Sequence, residues 1–337
     1  MLSIIVVAFN EARHVARLQR SIQGLERPAG VDVESILIDG GSSDGTAEAA
    51  RQAGFDRVAE LPGANIPVCR NAGARYAKGK WIAYVDGDCE LATDWLIQAE
   101  PLLRHFPEVM LGWPARPPDP MNRMQAAWNF HWLNKNPRLE DVCGRAVVRH
   151  EGFRLATTRN MILTRSVFDQ VNGFNESLPT GEDTDFAFRA YMAGIPVFGV
   201  PELRVLHHGE PSSFGTFYKQ QVWHANRNSY AHIKRISGGK IGGNAPRFAL
   251  ACLLSMIIAF SGTVAAALLG QVWPLLGCLA PLGVVGAPAF FVSIKGREFR
   301  HLPMLVWLYT MYGAARIHDW AGFAQSKASW KVPRTRK

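Results

Sequence analysis

Apolar residues run unbroken through LSIIVVAF, residues 2–9, and polar ones return at once in NEARHVARLQRSIQGL. A continuous β-branched run reads as a strand buried on both faces. In the segment that follows, Val15, Leu18, Ile22 and Leu25 recur with the helical period, and Asn10 is placed to cap that helix. The alternation then repeats. VDVESILIDG predicts a second strand ending at Asp39, and GSSDGTAEAARQAG a turn and a second helix capped by Ser43 or Asp44. DRVAELP predicts a short third strand, NIPVCRNAGARYAKG a third helix and KWIAYVDGD a fourth strand. Strand alternating with helix in this way predicts an α/β domain, a mainly parallel sheet with crossover helices. Further along, NMILTRSVF predicts another strand. GEDTDFAFRAYMAG predicts a helix with Phe186, Phe188 and Tyr191 on its apolar face and Glu182 and Asp183 in its first turn.

From about Pro246 the pattern changes. Neither Phe248 to Gly270 nor Val272 to Ile294 contains a charged residue. Each run has the roughly 20 apolar residues that cross a bilayer, so 246–295 reads as a transmembrane helical hairpin. Pro274, Pro281 and Pro288 mark the second span as the one to kink or re-enter. Lys234, Arg235, Lys240 and Arg247 precede the hairpin and Lys295, Arg297 and Arg300 follow it, while the turn between the spans carries no cation. That asymmetry predicts both ends on the cytoplasmic side of the inner (plasma) membrane. Met1 leads straight into a strand with no signal peptide, which predicts a cytoplasmic location for the large domain, 1–240. Residues 301–323 are open to two readings, a third span or an interfacial helix. The basic tail that follows, with Lys327, Lys331, Arg334, Arg336 and Lys337, favours the cytoplasmic side and so an amphipathic, interfacial helix within 300–337.

The 337 residues carry a formal net charge of +9, which this organisation assigns to attraction for anionic lipid. No basic, aromatic-studded motif points to nucleic acid. Five cysteines have neither metal-type nor redox spacing.

In a parallel sheet of this kind ligands bind beyond the carboxyl ends of the strands. Three polar clusters fall there: Asn10–Glu11, Asp39–Gly40–Gly41 and Asp86–Gly87–Asp88. No glycine-rich dinucleotide fingerprint follows the first strand and no Walker A sequence is present. Two carboxylates separated by one glycine are common in solvated turns. At the end of a buried strand they suit a hard divalent cation, Mn²⁺ or Mg²⁺, that also binds a diphosphate and neutralises its charge as it departs.

The stretches SIIVVAFNEARHV, ILIDGGSSDGT, CRNAGARYAKGKWIAYVDGD and GEDTDFAFRAYMAG, in that order, resemble the inverting glycosyltransferases of family 2, which have the GT-A fold. The resemblance covers roughly residues 2–225. It implies a nucleotide-diphosphate sugar as donor. Ala8, Asn10 and Glu11 would lie by the nucleotide, Asp39 on the base, and Arg70 near the donor. Asp86 and Asp88 would be the metal and ribose aspartates, both of them candidate metal ligands, with Asp86 also on the donor nucleotide and His207 as a further candidate ligand. Glu182 and Asp183 match the acceptor-site acidic pair, Asp183 as the base. Gly40 stands where the family commonly has a second aspartate, and QQVWH, 220–224, departs from the Q-x-x-R-W of processive synthases. Transfer of a single sugar to a membrane-embedded acceptor, polyprenyl-linked or glycolipid, is the expected reaction. Polyprenyl-phosphate sugar synthase and nucleotidyltransferase are the alternatives. Arg159 and Trp223 are weaker candidates for the acceptor side. His208 is a weaker candidate than His207 for the metal or the diphosphate, and WNFHWLN, 128–134, reads as packing, with lining of a lipid or sugar acceptor as the alternative.

Overall fold

The computed structural model describes residues 1–134, 139–149, 151–225, 227–239 and 244–320. Lys240 and the basic tail from 321 onward lie outside the described residues. In chain order the elements are β1 (Leu2–Ala8), α1 (Val15–Gln23), β2 (Val33–Asp39), α2 (Thr46–Gln52), β3 (Arg57–Glu60), α3 (Ile66–Tyr76), β4 (Trp81–Asp86), β5 (Cys89–Leu91) and α4 (Trp95–His105). Next come β6 (Met110–Gly112), α5 (Arg123–Asn134), β7 (Leu139–Val142), β8 (Arg145–Val148), β9 (Met161–Thr164), α6 (Arg165–Gln170), α7 (Glu182–Met192), β10 (Val197–Gly199) and β11 (Val205–His207). The helices α8 (Phe214–His224), α9 (Arg227–Ile236), α10 (Asn244–Leu269), α11 (Ala280–Lys295) and α12 (Leu302–Trp320) complete the series.

The chain divides into two units. One combines Met1–Asp119 with the run that ends at Glu210; the other combines α5 with the helices from Pro211 onward. This division falls at residue 210, and α5 groups with the second unit.

In the first unit a nine-stranded sheet has the order β3-β2-β1-β4-β9-β6-β10-β8-β7. Strands β1 to β4 are mutually parallel, as the alternating pattern predicts. All seven residues of β1 are buried, which explains its uninterrupted apolar run. Beyond β4 the sheet becomes mixed. β9 lies antiparallel between β4 and β6, and β10 returns parallel to β6. Because β1 lies between β2 and β4, the connections diverge at its carboxyl end, the crevice where such sheets bind ligands. The register puts Ala8 beside Asp39 and Val7 beside Asp86, so the three polar clusters meet on one rim.

Three local expectations are corrected. Asn10 does not cap α1, which starts later with His14 at its N-cap. Asn10 instead has a left-handed backbone (φ 57°) and accepts a hydrogen bond from the Ser43 amide. Gly45 occupies the N-cap of α2, although the Asp44 carboxylate still accepts the Thr46 amide. NMILTRSVF is not one strand: β9 stops at Thr164 and α6 begins at Arg165, whose guanidinium donates to the carbonyls of Ala74, Ala77 and Gly79.

In the second unit Trp128 of α5 stacks on His131 and meets Phe217 edge-on, and the Tyr309 hydroxyl lies 2.6 Å from His131 Nδ1. The aromatic run 128–134 is thus largely packing, against α8 and α12. Among the described residues, Arg247–Leu269 and Pro274–Lys295 are long and apolar enough to cross a membrane, with mean hydropathy 2.2 and 2.0. Only 11% and 17% of their apolar windows are buried, unlike the core helices of a soluble domain. Phe260, Leu268 and Phe291 stand exposed. The second segment is not a single α-helix: a 3₁₀ stretch, Trp273–Leu279, leads into α11, with Pro288 inside that helix.

Candidate active site

The loop after β1 is tied to the loop after β2 by side chains. The Asn10 amide donates to Ser42 Oγ at 2.8 Å, the Glu11 amide to Thr46 Oγ1 at 2.8 Å, and the Ala12 amide to Asp44 Oδ2 at 3.1 Å. Asp39 is 1% exposed, and its carboxylate accepts the Ser42 amide and hydroxyl. Asp39 therefore shapes this loop, whatever it offers a ligand. Ser42 and Thr46 are the side chains that sequence reasoning passed over here, and Asp44 was read only as a helix cap. Their signal was the polar composition of GGSSDGT.

Arg70 joins two of the sequence clusters. It lies on α3, nearly buried, with Nη1 paired to Glu182 at the start of α7 and Nη2 3.4 Å from Asp86 at the end of β4. Burial pushes the Glu182 carboxyl up to about 7, against the downward pull of the Arg70 guanidinium. Glu182 is thus committed to Arg70. Its neighbour Asp183 remains partly exposed, its Oδ1 accepting the amide and hydroxyl of Thr184. One helical turn presents a buried carboxylate that fixes the helix and a second one open to solvent.

The remaining cluster depends on the antiparallel ribbon β5–β11, in which His207 stands opposite Cys89. This register brings His207 Nε2 to 3.1 Å from Asp88 Oδ1. Asp88 is 1% exposed. Burial alone would raise its carboxyl, but the charge and hydrogen bond of His207, aided by His14 and Arg159, hold it at about 2. Burial likewise opposes the His207 imidazolium, and Asp88 overrides it, raising that ring to about 10. Ligand atoms of Asp88, Cys89 and His207 all lie within 4.8 Å of one another. Gly209 makes room for this group, since a Cβ there would overlap Asp88 Oδ2. A carboxylate and an imidazole converging on one point, beside a residue whose side chain is excluded, fit a divalent cation. A bound cation would take the place of the direct contact between the two side chains. His208 faces elsewhere, 2.9 Å from Glu90 Oε2. Arg159 lies with this cluster, beside Glu210 and His207. Trp223 is on α8, in the second unit.

Residues 3–166 match the family model of glycosyl transferase family 2. The chain carries a family 2 glycosyltransferase domain. This glycosyltransferase is 26% identical over 245 residues to the glycosyltransferase AglE of Haloferax volcanii, across 68% of this chain and 77% of the relative. Among solved structures it is similar to the mannosyltransferase PcManGT from Pyrobaculum calidifontis, in complex with GDP-Man and Mn²⁺. There the TM-score is 0.58 at 16% identity, over 96% of this chain and 88% of that one. A looser likeness, TM-score 0.47 at 16% identity over 95% and 92% of the two chains, holds to S. aureus TarS 1-349 in complex with UDP-GlcNAc. The likeness to PcManGT establishes the GT-A fold for this glycosyltransferase.

Proposed function

We propose that the protein transfers one sugar from a nucleotide-diphosphate sugar to a hydroxyl of a membrane-embedded acceptor, polyprenyl-linked or glycolipid, in surface polysaccharide or glycolipid assembly. The observation that carries the reading is the convergence around Arg70 and the end of β4: Glu182 and Asp86 both pair with that guanidinium, Asp183 lies beside Glu182, and Asp88, two residues after Asp86, meets His207. Ala8, Asn10, Glu11 and Asp39 form the rim on which the nucleotide is read, and Asp86 and Arg70 border the donor. That PcManGT is solved with GDP-Man and Mn²⁺ agrees with this donor class and metal.

Asp183 accepts the acceptor hydroxyl proton as that oxygen attacks the anomeric carbon. The new glycosidic bond forms as the bond from the anomeric carbon to the diphosphate oxygen breaks, its electron pair leaving with the diphosphate. This single displacement inverts the anomeric centre and uses no nucleophilic Cys or Ser. Asp88 and His207, with Asp86 nearby, would hold Mn²⁺ or Mg²⁺. Such an ion supplies charge neutralisation to the leaving diphosphate. Glu182 and Arg70 keep the first turn of α7 against the end of β4.

The two exposed apolar segments support an anchor in the inner (plasma) membrane, and the cations flanking them support a cytoplasmic catalytic unit. An anchor raises the effective concentration of a lipid-borne acceptor at the site. Detergent-purified protein incubated with a panel of sugar nucleotides, Mn²⁺ and a membrane-lipid extract is expected to release a nucleoside diphosphate from one donor. EDTA and Asp88→Ala are each expected to abolish the release. Pyrophosphate as product, or transfer to soluble acceptors alone, would overturn the proposal.

A further inference from the structure

His207 is held at both ring nitrogens. While Nε2 meets Asp88, Nδ1 lies 3.0 Å from Glu210 Oε1, and both carboxylates are largely withdrawn from water, with side chains 1% and 12% exposed. The same Glu210 oxygen is paired to Arg159 Nη1, which arrives from the segment before β9 and stands 3.5 Å from His207 Nδ1. The backbone completes the clamp: the His208 amide donates to the Asp88 carbonyl at 2.9 Å, so the turn carrying Glu210 is fastened to the turn carrying Asp88.

We propose that Glu210 is a positioning residue. By accepting the Nδ1–H of His207 it selects the tautomer and ring orientation that present Nε2 to the cation beside Asp88, and Arg159 anchors the Glu210 carboxylate for that task. This rests on the reading of Asp88 and His207 as cation ligands. The physical reason is that an imidazole has one soft torsion at its ring. With Nδ1 unheld, the ring can swing Nε2 away from Asp88 or present the protonated nitrogen to the metal. A carboxylate behind a ligating histidine removes both alternatives, and losing such a partner typically weakens metal binding about 10–100-fold. Arg159, which the sequence suggested for the acceptor side, acts in this reading behind the metal ligands. Glu210 had no sequence signal beyond its place three residues after His207.

The test is Mn²⁺ binding to the full-length, detergent-purified chain, without sugar donor. Affinity is read by EPR titration, and coordination by the ¹⁴N coupling of a bound imidazole in pulsed EPR. The wild-type chain should show that coupling and His207→Ala should lose it. Glu210→Ala should weaken Mn²⁺ binding about 10–100-fold and diminish the coupling. Because that variant leaves Arg159 without its carboxylate, the double variant Arg159→Met/Glu210→Gln is measured alongside. It removes both charges but keeps an oxygen to accept the Nδ1–H, so it should retain the ¹⁴N coupling and most of the affinity. A folded Glu210→Ala chain with unchanged affinity and coupling overturns the inference while leaving the metal reading intact. So does a folded double variant that loses the coupling. A wild-type chain that binds no Mn²⁺, or binds it without ¹⁴N coupling, overturns the ligand assignment itself and the inference with it.

Discussion

Replacing Glu182 and replacing Asp183, adjacent acids on one helical turn, should have opposite consequences. The Arg70 and Glu182 side chains are 5% and 7% exposed. Water cannot take the place of a lost partner, so Glu182→Ala leaves a buried guanidinium whose remaining ion pair is Asp86, at 3.4 Å and 32% exposed. Removing one partner of a buried pair costs about 3–5 kcal/mol. The long, half-wet contact to Asp86 returns no more than about 1 kcal/mol of that. At about 2–4 °C per kcal/mol for a domain of this size, the melting temperature should fall on the order of 10 °C. Glu182→Gln keeps an oxygen for Arg70 and should fall less. Asp183→Asn is isosteric at a partly exposed position and should melt with the wild type, yet lose about 10²–10⁴ in kcat, the usual worth of a general base. Thermal unfolding in detergent, followed by tryptophan fluorescence, and transfer rates measured well below the lowest transition separate the two effects. The reasoning is refuted if Asp183→Asn retains activity while folded Glu182→Gln loses it, because Glu182 would then be the base.

Two further outcomes follow from the geometry. Gly209→Ala adds a methyl where Asp88 Oδ2 lies, so Mn²⁺-dependent turnover should drop by about tenfold or more with an unchanged far-UV circular dichroism spectrum; undiminished turnover at low Mn²⁺ would show that the carboxylate has room to move. In isolated membranes the chain should resist alkaline carbonate and be released by detergent. Release by carbonate would contradict the crossing of the bilayer by 247–269 and 274–295.

Much of the first unit was legible because it is local. An apolar run such as residues 4–7 of β1 needs burial on both faces wherever it lies, and a helix of period 3.6 must follow it to cover the sheet. Carboxylates at strand ends follow from the same topology, so Asp39, Asp86 and Asp88 were placed on one rim before any contact was known. The two apolar segments were equally plain, since length and absence of charge are properties of the chain alone.

Other features had no local trace. The α5 segment precedes β7 in the chain, yet its aromatic residues are buried among α8 and α12, and only that packing assigns it to the second unit. The beginning of α6 was hidden within NMILTRSVF, since the carbonyls that Arg165 bonds there lie some 90 residues earlier in the chain.

By itself, then, the sequence determined the kinds of element, the parallel half of the sheet, the family and the candidate chemistry, because each depends on residue type and short-range spacing. The tertiary structure alone decided which acids are partners and which remain available. Glu182 is consumed by an arginine 112 positions away, and His207 reaches Asp88 through the pairing of two three-residue strands. Charge pairing at such separations is set by where the folded backbone delivers each side chain and by how much water it leaves there, and neither quantity is written in the neighbours of a residue.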